Sequence, residues 1–361
     1  MIAYARLSAG DPAPAFSQKS PANPRYALDA AAGRYLALAF LPGAGAPEGR
    51  AVLASVAARR DIFDDRFASF FAVTADPADE AAERPGNSMP GLRCLWDGDL
   101  RAARMYGAAP TEGAGPYRAR WVMVDPTMRV IEVAGLSADP RVAEAALDRL
   151  SRLPPPDRFA GVPLQAPILF LPRVFEPELC ARLIACYEEQ GGEVSGFMRA
   201  EAGKTVGLHD TRFKSRRDAY VTDPDLVRAI QDRIMRRVVP EIAKVHHFHV
   251  TRMERYLVGC YDADEGGHFA PHRDNTTPGT AHRRFAISIN LNSDFDGGEV
   301  SFPEYGPRGF RSPAGGAVVF SCSLLHAVSQ VTRGRRFAFL PFVHDDAAAR
   351  VREANRGSLS P

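Results

Sequence analysis

His272, Asp274, His326 and Arg336 are the residues of this 361-residue chain whose types and spacing could do chemistry. Two imidazoles and one carboxylate can grip one face of Fe(II) and leave its other positions open for a co-substrate and O2. In Pro271-His272-Arg273-Asp274 the His and the Asp stand two apart. Residues so spaced in an extended segment point to one side, so a single short stretch can supply two ligands. The third, His326, lies in an apolar run over residues 324–331 that has strand character and ends at the turn-like Thr332-Arg333-Gly334. A second strand is expected over residues 335–343. Arg336 falls at its start, in an apolar context where an unpaired guanidinium is costly. It needs a carboxylate, and its planar fork of donors suits bidentate capture of the far end of a keto-diacid.

Arg255-Tyr256, His272-x-Asp274, Gly297-Gly298-Glu299-x-x-Phe302-Pro303 and the pair His326 and Arg336 together resemble the prolyl 4-hydroxylase-type Fe(II)/2-oxoglutarate dioxygenases, over roughly residues 168–345. His-x-Asp alone arises by chance in most long chains; the ordered set is specific. The resemblance implies a mainly-β double-stranded β-helix (jelly-roll) with flanking helices, with iron on His272, Asp274 and His326 as the catalytic centre. It implies that Arg336 binds the distal carboxylate of 2-oxoglutarate and that Tyr256 hydrogen-bonds this co-substrate. Arg335 is the competing anchor, and Arg336 is preferred because it stands two positions after Gly334, as the family's arginine does. Tyr256 could equally be a core residue. The implied cofactors are Fe(II), 2-oxoglutarate and O2, with ascorbate as reductant. Asp274 is retained, whereas halogenating relatives lack this carboxylate. The expected outcome is hydroxylation of an aliphatic carbon in a peptidyl or free amino acid. The alternative is a non-catalytic binding or assembly protein in which both domains are degenerate.

The length suggests two domains, at roughly 100–200 residues each. Charge is nearly balanced, 45 Lys+Arg against 43 Asp+Glu, so no nucleic-acid partner is expected. The beginning of the chain lacks a basic segment followed by an apolar one, and no run reaches the ~18 apolar residues of a membrane span. A soluble, cytoplasmic protein without a membrane partner is the expectation. Five cysteines, Cys94, Cys180, Cys186, Cys260 and Cys322, include no CxxC pair and read as reduced thiols.

Apolar runs at residues 35–41, 70–74 and 121–124 alternate with helical stretches at 51–60 and 140–150, the second opened by Asp139-Pro140. That alternation argues for an α/β layer fold. Gly10-Asp11-Pro12-Ala13-Pro14-Ala15-Phe16 and Phe40-Leu41-Pro42 resemble the peroxiredoxins, which implies a thioredoxin-like domain over residues 1–155. The family's threonine and peroxidatic cysteine would stand at Ala46 and Gly49, and without a thiolate there is no attack on peroxide. This domain is expected to be non-catalytic and to dock a partner such as a protein or peptide substrate, to dimerise, or to cover part of the oxygenase. Cys94 reads as a small core residue.

A Pro-rich stretch at 156–167 reads as a stiff linker, with the dioxygenase domain over 168–347 and a frayed tail over 348–361. Helices are expected at 177–189, stopped by Gly191-Gly192, and from Asp223-Pro224 to about 245 with a kink at Pro240. His246-His247-x-His249 lacks a carboxylate or cysteine to complete a metal set, and His268 is expected to border the pocket without ligating. The cationic cluster at 212–217 reads by default as a solvated face; the functional reading is that Lys214, Arg216 or Arg217 meets a carboxylate-bearing substrate. Asn290 and Asn292 alternate with apolar residues, so one of them lines the pocket.

Overall fold

The computed structural model describes residues 2–201 and 204–358. They form two compact units, residues 2–165 with 303–306, and residues 166–201 and 204–302 with 307–358.

In the first unit the strand Tyr35–Leu41 is buried along its whole length, as a continuous apolar run must be when both faces of a sheet are covered. It runs parallel to Ala68–Thr74, which runs parallel to Leu92–Trp96, and it is antiparallel to Arg120–Val124. Strands Asn23–Ala27, Ser17–Ser20 and Val130–Gly135 complete a seven-stranded mixed sheet. Helix Pro140–Ser151 starts where Asp139 accepts the Arg141 amide and Pro140 occupies the first turn. Its Ala143, Ala146, Leu147 and Leu150 join Val52 and Val56 of helix Pro47–Ala58 over Ala37, Ala39 and Leu41 of the central strand. This is a thioredoxin-like layer. Leu153 and Phe159 pack on the same core, so the chain stays attached to this unit as the Pro-rich stretch begins.

The second unit is a double-stranded β-helix whose strands pair antiparallel throughout. The larger sheet is ordered Arg252–Glu254, Phe342–His344, Phe285–Asn290, Arg335–Phe339, Leu257–Asp262, Arg217–Tyr220, Glu193–Val194, and the smaller Lys214–Ser215, His268–His272, His326–Val328, Val300–Ser301, Gly309–Phe310. Tyr261 of the larger sheet packs with Val328 of the smaller, with Phe295, Val331 and Phe269 around them. The outer face of the larger sheet, Val258, Cys260, Ile287, Ile289, Phe337 and Phe339, is covered by Leu183, Ile230, Ile234 and Ile242 of three flanking helices. The first of these, Pro177–Gln190, ends at Gly191 in the left-handed conformation.

Two expectations are corrected. The single kinked helix is two helices, Pro224–Arg237 and Val239–His246, because Pro240 cannot donate to the preceding turn and instead sits in the first turn of a new helix. The supposed frayed tail contains helix Asp346–Ala354, capped by Asp345, and Asn355 donates to the Pro278 carbonyl at 2.9 Å.

Candidate active site

His272 ends the strand His268–His272 and His326 opens the strand His326–Val328; the two are paired across the smaller sheet, so cross-strand register brings their imidazoles together, 4.2 Å between ring centroids. Asp274 does not share an extended segment with His272, as the two-residue spacing suggested. It sits in the turn just beyond the strand, its amide donating to Cys322 O at 3.0 Å, and the turn swings the carboxylate back between the rings. His272 Nε2 lies 3.6 Å from Asp274 Oδ1 and His326 Nε2 lies 3.4 Å from Asp274 Oδ2. Among the described residues these three form the one group able to hold a metal ion, with ligand atoms within 4.8 Å of one another.

The ring orientation matters as much as the distances. His272 Nδ1 meets Ala270 O at 2.8 Å and His326 Nδ1 meets Leu324 O at 3.0 Å. A carbonyl only accepts, so each Nδ1 carries the proton and each Nε2 presents its lone pair to the shared centre. Burial, with His272 alongside, pushes His326 down to about 4, which keeps it neutral. Burial alone would raise Asp274; His326 and His272 overcome it and hold the carboxyl ionised. Two imidazole nitrogens and a carboxylate facing one point are the donor set of a divalent first-row metal. Behind Asp274, Arg283 extends a long contact to its carbonyl at 3.5 Å and is itself held by buried Glu254 at 2.8 Å.

Strand alternation sends the two arginines to opposite faces. Arg335 points out to Glu188 at 2.8 Å, whereas Arg336 points into the barrel and is 1% exposed. Its Nε donates to Asn290 Oδ1 at 2.9 Å and its Nη2 to Ser288 Oγ at 2.8 Å. Nη1 is buried without a partner among the described residues. Only neutral groups thus meet a fully desolvated cation, which calls for a carboxylate from a ligand. Gly298, at φ +68°, makes room for it: a Cβ there would stand 2.8 Å from Arg336 Cδ.

The structure corrects Tyr256. Its hydroxyl accepts from Gln231 on a flanking helix at 2.7 Å, and its ring packs on the outer core. The tyrosine beside Arg336 is Tyr261, its register partner on the neighbouring strand, whose ring lies 5.2 Å from the guanidinium. Sequence reasoning missed Tyr261 and Ser288; counting which face each strand residue takes, outward from Arg336, would have found both. Of the two asparagines, Asn290 lines the pocket, while Asn292 bonds Asp294 and backbone. His268 has both ring nitrogens on backbone carbonyls, Gly266 at 2.8 Å and Arg212 at 3.1 Å, and offers no lone pair inward. His246 packs on Phe285 and His247 caps its helix. The default reading of the cationic cluster fails for Lys214 and Arg216, which are 5% and 7% exposed.

In the first unit Gly49 leaves no space for the missing cysteine: a Cβ there would meet Gly43 O at 2.2 Å and Ala44 O at 2.9 Å. Asp79 pins the same loop by accepting the Ala44 amide at 2.7 Å. Cys94 is buried, and burial pushes its thiol up to about 12, so it supplies no thiolate at neutral pH.

Residues 255–344 match the 2OG-Fe(II) oxygenase superfamily and residues 9–133 the AhpC/TSA family. The chain is therefore similar over one segment to Fe(II)/2-oxoglutarate oxygenases and over another to the AhpC/TSA proteins, in the second case with Gly49 where the resemblance placed the peroxidatic cysteine. A PKHD-type hydroxylase of Cupriavidus metallidurans is 38% identical over 95 residues, 23% of this chain and 42% of that protein. The PKHD-type hydroxylase PiuC of Pseudomonas aeruginosa is 27% identical over 184 residues, 47% of this chain and 75% of that protein. The chain spans about two fifths of the length of the first curated relatives it matches, 42% and 41%. Among solved structures, a Pseudomonas putida prolyl-4-hydroxylase is similar at 17% identity and TM-score 0.38, covering 52% of this chain and 95% of that one. A thiol peroxidase from Chromobacterium violaceum is similar at 20% identity and TM-score 0.33, covering 42% and 92%. No described helix is long and apolar enough to cross a membrane.

Proposed function

We propose that this protein is an Fe(II)- and 2-oxoglutarate-dependent dioxygenase that hydroxylates an aliphatic carbon of a peptidyl or free amino acid. The observation that carries the reading is the convergence of His272 Nε2, His326 Nε2 and the Asp274 carboxylate on one point, each imidazole locked by a carbonyl at Nδ1. His272, Asp274 and His326 hold the metal. Arg336, steered by Asn290 and Ser288 and roofed by Tyr261, takes the distal carboxylate of 2-oxoglutarate. Bound Fe(II) with 2-oxoglutarate and O2 supplies oxidative attack on a C–H bond, with decarboxylation to succinate, and that chemistry belongs to the cofactor. The chain's part is to fix three ligands on one face and neutralise the co-substrate's far end. The apolar walls of Phe302, Phe320 and Phe269 around the imidazoles keep bulk water out. Ascorbate would serve as the reductant that keeps the metal ferrous. The thioredoxin-like domain is proposed to dock a protein or peptide substrate or a second copy, since its closed loop at Gly49 leaves it no peroxidase chemistry.

The test is succinate release from 2-oxoglutarate by the purified full chain with Fe(II) and ascorbate, for wild type, H272A and D274A. Turnover in wild type and background in both variants is expected. Equal succinate in all three would refute the reading in favour of a binding protein that carries its metal for structure.

A further inference from the structure

Lys214 is a buried amine with no carboxylate hydrogen-bonded to it among the described residues, one aromatic ring away from the metal ligands. Its strand pairs with the strand that carries His272, Lys214 facing Phe269. Paired residues share a face, and Lys214 Nζ lies 4.9 Å from the Phe269 ring centroid, while that ring stacks on His272 at 3.5 Å. The ammonium donates to Ser195 Oγ and to Gly196 O, both at 2.6 Å, and both are neutral acceptors. Two of its three donors are thereby used.

The neighbouring carboxylate is already committed. Asp218 takes Arg216 in a fork at 2.6 and 2.8 Å, the Ser195 hydroxyl at 2.5 Å and Arg255 at 3.4 Å. Arg216 is spent on Asp218 and on the Tyr261 hydroxyl at 3.2 Å, and Arg217 turns outward to Gly192 O at 3.0 Å. Among the described residues Asp218 is the carboxylate that hydrogen-bonds Arg216 and Arg255, whereas Asp274 and Glu299 act on Lys214 and Arg336 without a hydrogen bond to either. A 2-oxoglutarate distal carboxylate on Arg336 neutralises one cation, and Asp218 another. That leaves the Lys214 amine desolvated beside arginines that outnumber Asp218, a setting that favours a further anion. Burial, reinforced by Arg216, pushes the Lys214 amine down to about 6, against Asp218; an arriving anion would restore the proton.

We infer that the substrate of this enzyme carries a carboxylate or an equivalent anion, and that Lys214 receives it, holding the substrate against the Phe269 face of the metal centre. This rests on the dioxygenase reading and narrows its substrate class. The full chain, loaded anaerobically with Fe(II) and saturating 2-oxoglutarate so that Arg336 is occupied, is titrated with acetate and, as the uncharged match, acetamide. The visible Fe(II)–2-oxoglutarate charge-transfer band is the readout. Saturable perturbation by acetate and none by acetamide is expected. In K214M the acetate affinity should fall at least about tenfold, as for loss of one charge-assisted hydrogen bond, while K214R, which keeps the charge, should stay within about threefold. The 2-oxoglutarate band in each variant reports that the site is folded. Acetate binding undiminished in K214M, no saturable acetate effect in a wild type that shows the band, or 2-oxoglutarate affinity falling in step with acetate affinity would each overturn the assignment. Absence of the band in wild type would instead refute the dioxygenase reading beneath it.

Discussion

Replacing Arg336 by Met removes a cation that the fold itself leaves short of partners, so ligand binding and folding should respond in opposite ways. In the folded protein Arg336 gives one hydrogen bond each to Asn290 and Ser288 and leaves Nη1 without a partner. Losing the two bonds costs about 1 kcal/mol each. Removing a buried charge with no opposite charge recovers a desolvation penalty of several kcal/mol. R336M should therefore unfold no more easily than wild type. Bound 2-oxoglutarate, by contrast, would have its distal carboxylate facing a methyl in a dry pocket. Truncating one partner of a buried ion pair costs about 3–5 kcal/mol, or roughly 100- to 5,000-fold in affinity. The assay is anaerobic titration of the Fe(II) protein with 2-oxoglutarate and with 2-oxopentanoate, which has a methyl where the distal carboxylate stands. Wild type should prefer 2-oxoglutarate by about that factor and R336M should lose the preference, with Tm unchanged or raised. A variant that still discriminates the two acids, or that unfolds several kcal/mol more easily, would refute the placement of the co-substrate and the electrostatic account of this wall together.

Tyr261→Phe removes a hydroxyl from the Arg216 and Arg336 side of the pocket and should weaken 2-oxoglutarate about 3- to 10-fold, whereas Tyr256→Phe, at the Gln231 contact, should leave it within twofold; parallel titrations would show the reverse if the motif tyrosine were the functional one. Glu254 is buried against His282 and Arg283; burial would raise its pKa, and those partners overcome this and bring it down to about 2, from 4.5 in the unfolded chain. An acid depressed on folding stabilises above its unfolded value and loses that contribution as pH falls toward its folded one. Glu254→Gln should therefore lower the urea unfolding free energy by about 3 kcal/mol at pH 7, and the gap to wild type should narrow between pH 4.5 and pH 2. A gap independent of pH would show that the carboxylate's charge is not what stabilises.

What could be read from the chain alone was whatever depended on residue type and short-range periodicity. The all-apolar run at Tyr35–Leu41 announced a strand covered on both faces, Asp139-Pro140 announced a helix start, and the missing cysteine at Gly49 was visible without coordinates. His272, Asp274, His326 and Arg336 were legible because metal and carboxylate chemistry restricts the residue types, and an ordered set of them is rare. Tyr261 was not, and Lys214 was legible only as one of three candidates, with Arg216 and Arg217, to meet a substrate carboxylate. Each owes its place to pairing between strands far apart in sequence, Tyr261 against Arg336 and Lys214 against Phe269, and local pattern carries no record of register. Tyr256 was the converse: a tyrosine in the right motif on the wrong face, drawn outward to Gln231 by the pleat. Even the ligand pair His272 and Asp274 was found for an incomplete reason, since a turn and not a shared strand face aims the carboxylate. The sequence by itself determined which residue types are available for chemistry and in what order they stand. Only the tertiary structure decided which charges are buried without partners, because burial and counter-charge are properties of neighbours brought together by the fold, and those unpaired cations are what point to the ligands.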